Sequence, residues 1–150
     1  AHAGFSTGKP WRAPGSDYST KNVAAGSADP YSLLTFYRTL IHLRSNHAAL
    51  RVGDYHLVIT NNRSVYAALR VSKEETVLVL MNLGSEPASD YKLRLSDSPL
   101  SGAYVAVPLL GYGEFAPLQV NAQGGFDGYV PLPEIPAYGR LVLQLQKETK

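Results

Sequence analysis

The chain has 150 residues, 45% of them apolar, enough for one domain or slightly more with a real core and too few to favour two full domains. Fourteen Lys and Arg against twelve Asp and Glu leave a net charge of +2 with no run of three cations, which disfavours a nucleic-acid reader. The longest apolar run, 77–81, is far short of the roughly 18 residues of a membrane helix, and no basic-then-apolar signal segment opens the chain, so it reads as soluble with no membrane partner. The absence of cysteine excludes disulfides, thiolate metal sites and a thiol nucleophile, and leaves the compartment open.

Residues 1–28 carry Gly4, Gly8, Pro10, Pro14, Gly15 and Gly26 among scattered Ser and Thr, hold neither a period of 2 nor of 3.6, and read as loop. A structureless stretch of this length is rare inside a compact domain. With no initiator Met, the expectation is a segment severed from a larger setting. Asp29-Pro30 predicts a helix start, because Asp is a preferred cap and Pro at the first helical position sacrifices no hydrogen bond. Over 31–46, Leu33, Leu34, Phe36, Tyr37, Leu40, Ile41 and Leu43 occupy about half the helical wheel, opposite Ser32, Thr35, Arg38, Thr39, His42 and Ser45. Arg44 falls inside the apolar arc and needs a partner or must snorkel outward. A face this wide, left uncovered, is expected to drive self-association.

Beyond Leu50 the rhythm changes to short strand-like runs at 55–59, 65–71, 76–83, 91–95, 103–107, 118–120, 129–132 and 141–145. Residues 61–64 and 72–75 are hairpin-length connections, and 121–128 is a longer Gly-rich loop. Many short strands in about a hundred residues predict a mostly β fold, two antiparallel sheets packed as a β-sandwich. The run 77–83, apolar on both faces, belongs at the centre; 91–95 alternates and has one wet face.

No residue pattern marks a catalytic site. Of the histidines His2, His42, His47 and His56, the pair His42 and His47 is five apart, about 140° around a helix, and does not share a ligand, so no metal or cofactor site is expected. Gly111-Tyr112-Gly113 lacks the third glycine and following helix of a dinucleotide fingerprint and reads as a turn. Most carboxylates, among them Glu74, Glu75, Asp97 and Asp127, lie in turn-rich segments where a solvated structural role is the default. Phe5, Trp11, Tyr112, Phe115, Phe126 and Tyr129 have the flat faces that bind sugar rings, although aromatics in a sandwich more often pack in core or rim. Asn62-Arg63-Ser64 fits a glycosylation acceptor, a pattern common by chance.

Ala3-Gly4-Phe5-Ser6-Thr7-Gly8-Lys9-Pro10-Trp11, followed by Asp17-Tyr18 and Asn22-Val23, resembles a stretch late in the catalytic barrel of family 13 glycoside hydrolases, particularly the oligo-1,6-glucosidases and related α-glucosidases. The likeness continues through Ser32-Leu33-Leu34, Tyr37-Arg38 and Leu40-Ile41-His42-Leu43-Arg44, similar to the last barrel helix. Gly53-Asp54-Tyr55, Val65-Tyr66-Ala67 and Val79-Leu80-Met81-Asn82-Leu83 resemble the first strands of the C-terminal β-sandwich, and Pro133-Glu134-Ile135-Pro136-Ala137-Tyr138-Gly139 before 140–146 resembles its closing strand. The resemblance is strong over residues 1–83 and weaker afterwards.

The resemblance implies residues 1–50 as the last loop and helix of a (β/α)8 barrel and residues 51–150 as the C-terminal β-sandwich, with the helix face turned to a barrel that is not in this chain. The family's nucleophilic aspartate, acid/base glutamate and supporting aspartate come from earlier barrel strands. None of their motifs occurs here, so the implied catalytic, cofactor-binding and metal residues are none. Retaining hydrolysis needs two carboxylates about 5 Å apart across the scissile bond. The segment alone is therefore expected to be silent, its partners being the missing barrel and an α-glucan or oligosaccharide. Two other readings are a carbohydrate-binding module, which needs several of the aromatics exposed and coplanar, and an interaction protein related to amino-acid-transporter heavy chains.

Overall fold

The computed structural model describes residues 6–148. They fall into two compact units divided between Arg44 and Ser45. The short helix that follows this division packs with strands of the second unit.

The N-terminal unit holds helix α1 (Val23–Ala28) and most of helix α2 (Leu33–Asn46). Sequence periodicity missed α1, which is only six residues long; its signal is Asn22, whose Oδ1 accepts from the Ala25 amide at 2.9 Å while its Nδ2 donates to the Tyr18 and Ser19 carbonyls. Asp29 does not cap α2. Its Oδ1 accepts from the Tyr31 amide in a turn, and the helix begins later, capped by Ser32, whose Oγ accepts from the Thr35 amide at 3.1 Å. Pro30 and Tyr31 are thereby left in the turn before the helix. No residue of α1 or α2 is buried. Arg44 is exposed and partnered.

The second unit opens with helix α3 (Ala48–Val52), again too short for its period to show in the sequence, and continues as eight strands. These are β1 (Asp54–Thr60), β2 (Val65–Val71), β3 (Thr76–Asn82), β4 (Leu93–Leu95), β5 (Ala103–Leu110), β6 (Leu118–Gln119), β7 (Phe126–Tyr129) and β8 (Arg140–Lys147). All the pairings among them are antiparallel, in the order β6-β5-β8-β3-β2-β1-β4-β7. The expectation of two separately paired sheets is thereby altered. The ladder is continuous because β1 pairs β2 through Asp54–Val58 and then β4 through Ile59 and Thr60. Its edge strands β6 and β7 follow one another in the chain, and bonds such as Ala116 N–H to Pro131 C=O and Asn121 N–H to Gly125 C=O draw them together into a nearly closed sheet.

The run at 77–83 is central as expected, since β3 lies between β2 and β8, and residues 91–95 alternate buried and exposed. One strand is displaced: β7 occupies 126–129 rather than 129–132. Pairing with β4 recruits Phe126 and Asp127, with a register shift where Gly128 takes a left-handed backbone, φ +79°. The enclosed core gathers Val58, Leu69, Leu78, Leu80, Tyr91, Leu93, Leu118, Ile135 and Leu143, all essentially inaccessible. Burial pushes the phenols of Tyr91 and Tyr129 above their usual range. They stay neutral and donate to the Leu132 and Ala116 carbonyls.

Candidate functional site

Three constructions stand out in the β domain. The first surrounds Glu75, which sits at the end of the β2–β3 turn with its carboxylate 10% exposed. His47, at the position preceding α3, makes no cap with its own side chain; its Nδ1 lies 2.8 Å from Glu75 Oε2. A carboxylate only accepts, so that nitrogen carries the proton. Glu75 Oε1 accepts from the Ala49 amide at 3.1 Å, and Gln144 Nε2 of β8 donates to Oε2 at 3.3 Å. A carboxylate thus caps α3 from across the fold, complementing the positive end of its peptide dipoles. Burial alone would raise its pKa, but the His47 bond and charge and the Ala49 and Gln144 donors outweigh that and hold it below the usual carboxylate range. Glu75 therefore departs from the solvated role expected of an acid in a turn. Its partners lie 28, 26 and 69 residues away, so no local pattern discloses them.

The second is the outer face of the sheet. Alternation and register place Tyr55, Leu57 and Ile59 of β1 beside Tyr66 and Ala68 of β2 and Val79 and Met81 of β3. Val77 and Ala68 on this face are buried, and α3 packs against β2 and β3. Farther along β1, Tyr55, Leu57 and Ile59 are 52%, 51% and 57% exposed. The Tyr55 and Tyr66 hydroxyls lie 3.2 Å apart, and this shared bond, with burial, raises the Tyr66 pKa. Arg70 donates from its NH2 group to the Gly53 carbonyl at 2.8 Å, so its head is directed to backbone.

The third is Asn82, a buried amide at the end of β3. Its Nδ2 donates to the Glu86, Ile135 and Pro136 carbonyls at 2.7, 3.2 and 3.1 Å, and its Oδ1 accepts from the Gly84 amide at 2.9 Å. One side chain thereby joins the loop after β3 to the loop before β8.

The aromatic candidates separate. Trp11 and Tyr112 are exposed, Phe115 packs against the core, Phe126 and Tyr129 are buried and meet edge to face, and Phe5 lies outside the described residues. The four seen in the β domain therefore do not form one exposed platform. Of the histidines, His42 is exposed, His47 pairs with Glu75, and His56 has a buried Nε2 with no hydrogen-bond partner among the described residues; His2 lies outside them. Among the described residues no three His, Asp or Glu side chains gather as a metal site, and no helix is long and apolar enough to cross a membrane. Asn62 is engaged: its Nδ2 donates to the Asp90 carbonyl and its Oδ1 accepts from the Ser64 amide.

Comparison with known proteins extends this picture. No family model matches the chain. The oligo-1,6-glucosidase of Bacillus cereus is 36% identical over 85 residues, 57% of this chain and 15% of that protein. The trehalose-6-phosphate hydrolase of Escherichia coli is 38% identical over 85 residues, again 57% of this chain and 15% of the relative. Among solved structures, trehalulose synthase MutB from Pseudomonas mesoacidophila superposes on 97% of this chain and 23% of its own, with a TM-score of 0.62 and 29% identity. The chain thus spans about 15% of the length of these two sequence relatives. It is a homologue of the family 13 glycoside hydrolases, matching the oligo-1,6-glucosidases and trehalose-6-phosphate hydrolase along a partial segment of their length.

Proposed function

We propose that the chain is the C-terminal, non-catalytic segment of a retaining α-glucosidase acting on α-linked glucosides, and that its β domain stabilises the catalytic barrel by docking against it. In this reading residues 1–50 are the last loop and helix of the barrel and residues 51–150 the C-terminal domain. The observation that carries the reading is a sheet apolar on both sides. One face encloses the core, while the other exposes Tyr55, Leu57 and Ile59 in a row, as a sheet does when a second layer of protein covers it. The relatives, several times longer than this chain, are of a size to supply that layer. The paired carboxylates of retaining hydrolysis belong to the barrel, and no residue of this chain is assigned to the chemistry.

The test has two arms. The purified chain is assayed on p-nitrophenyl α-glucoside, maltose and isomaltose, where no turnover above background is expected; turnover co-purifying with the chain overturns the reading. The chain is then spliced onto a relative's barrel in place of the matching segment, with and without Leu57→Ser and Ile59→Ser. Restored activity that these changes diminish supports docking through the outer face. Alone, the chain is expected to self-associate in sedimentation runs, and Leu33→Ser or Leu40→Ser to weaken that association with helix content retained.

A further inference from the structure

The loop joining Ile135 to β8 holds a backbone conformation that the fold does not require of its residue type. Tyr138 has φ +54°, the only positive value at a non-glycine residue among those described, and a bulky side chain is rarely found there. The loop is tied down on every side. The Tyr138 amide donates to the Gly84 carbonyl at 3.0 Å, the Gly139 amide to Pro136 at 2.8 Å, and the Asn82 amide to the Gly139 carbonyl at 2.8 Å. Beneath them the buried Asn82 amide holds the Pro136 carbonyl. A left-handed position is most easily filled by glycine, yet here it carries an aromatic ring that is 63% exposed. Strain retained to present an apolar ring to solvent is a feature of binding positions.

Beside Tyr138 lies a polar notch of about 320 Å³ lined by Asn62, Ser64, Gly84, Ser85, Glu86 and Pro87. Gly84 belongs both to this lining and to the bond that fixes Tyr138. The Asn62 amide is occupied, but the side chains of Ser64, Ser85 and Glu86 make no hydrogen bond among the described residues. Two hydroxyls and a carboxylate line a notch whose Gly84 holds the Tyr138 backbone, and with the exposed ring they are the two kinds of group that pyranose recognition uses. The ring takes the C–H face of the sugar, and the polar groups take its hydroxyl edge. A second exposed ring stands at the same end of the sheet. Tyr112, 87% exposed, follows Gly111, whose backbone is so close to β8 that a Cβ there would lie 3.2 Å from the Arg140 carbonyl oxygen.

We propose that Tyr138 and the notch formed by Ser64, Ser85 and Glu86 bind a pyranose unit of an α-linked glucose oligosaccharide, with Tyr112 contacting a further unit of the same chain. The choice of α-linked glucose rests on the glycosidase reading above; the site itself rests on the ring, its backbone and the notch.

The 150-residue chain, isotope-labelled for amide spectroscopy, is titrated with maltotriose and isomaltotriose. Saturable shifts confined to residues 62–64, 84–87, 112 and 136–140 are expected. Tyr138→Gly is the decisive variant, because it relieves the left-handed backbone while deleting the ring. It is expected to keep or raise the unfolding midpoint and to weaken the sugar about tenfold, the scale of one lost aromatic contact. Tyr138→Phe retains the ring and the affinity. Undiminished affinity in Tyr138→Gly, or no saturable shift at these residues with either sugar, overturns the site. Equal affinity for cellotriose overturns the ligand class. None of these outcomes depends on whether the chain restores a spliced barrel, so the two proposals fail separately.

Discussion

Residues 6–44 and the β domain are both rich in apolar side chains, yet only the β domain encloses them. In α2, Leu33, Tyr37 and Ile41 stand largely exposed and no residue is buried, whereas strands β1, β2, β3, β4 and β8 each send at least one residue with essentially no accessible surface into one cluster. The difference is one of periodicity and partners. A strand pairs its backbone with neighbours and needs only one covered face, while an amphipathic helix gains most of its stability from the layer against which its stripe is laid. The β domain closes on itself through β6 and β7 and supplies its own layer; the helical residues, taken by themselves, do not.

A matched truncation separates the two regions most strongly. Leu78→Ala, at a position with no exposure, should cost about 2–5 kcal/mol in denaturant unfolding, whereas Ile41→Ala on the exposed side of α2 should stay within about 0.5 kcal/mol. Equal losses would mean that α2 is covered in solution.

Asn82→Ala comes next. It strands three carbonyls and one amide that a single side chain satisfies, so a loss of about 2–3 kcal/mol is expected. Hydrogen exchange should quicken together at Gly84, Ala88, Ile135 and Tyr138, whose amides lie in the two loops that Asn82 joins. A loss confined to one loop would show that the two are held independently.

A smaller effect, and one that depends on pH, is expected at Glu75. Its pKa is lowered in the folded chain, so the unfolded state binds the proton more readily. The carboxylate's contribution is present above its unfolded pKa of about 4.3 and is lost as pH falls through the lower folded value. Glu75→Gln should therefore cost about 1–2 kcal/mol at neutral pH and next to nothing once the wild-type carboxylate is protonated. Stability curves for the two proteins that stay parallel down to acid pH would show that the charge is immaterial and that the amide replaces its hydrogen bonds. Amide exchange at Ala49 gives the local readout, since that N–H donates to Glu75 directly.

How legible these features are in the sequence follows from the range of the interactions that make them. β2 shows in full, and β1, β3 and β8 lose or gain only end residues, because a short apolar run bounded by turn residues is a local signal. β7 is misplaced because a partner strand, rather than its own pattern, selects 126–129 from a Gly-rich run. Asn82 is hidden at the end of an apolar stretch, where one polar residue reads as a strand terminus, and Glu75 is hidden in a turn that any solvated acid would suit. Tyr138 is the converse: its neighbours Pro136 and Gly139 announce a turn, but only the backbone angle distinguishes it from an ordinary exposed tyrosine.

The least effect, and the finest test of the difference between the two units, concerns where α2 begins. Asp29-Pro30 is the stronger sequence signal, yet Asp29 bonds only the Tyr31 amide two residues on. Ser32 Oγ instead accepts from the Thr35 amide, donates to the Gly26 carbonyl at 2.5 Å, and lies 3.1 Å from Thr35 Oγ1. Ser32 therefore satisfies the free amide of the first turn of α2 and also ties that turn to the end of α1. Ser32→Ala should destabilise α2 by about 1 kcal/mol, and Asp29→Ala by less, read as loss of helical circular dichroism and faster amide exchange at Thr35. The midpoint of the cooperative β-domain transition should stay unmoved by either change, since neither residue contributes to its core. The reverse order, with Asp29→Ala the more damaging, would place the helix start at Pro30 in solution and extend α2 by one turn toward its N-terminus.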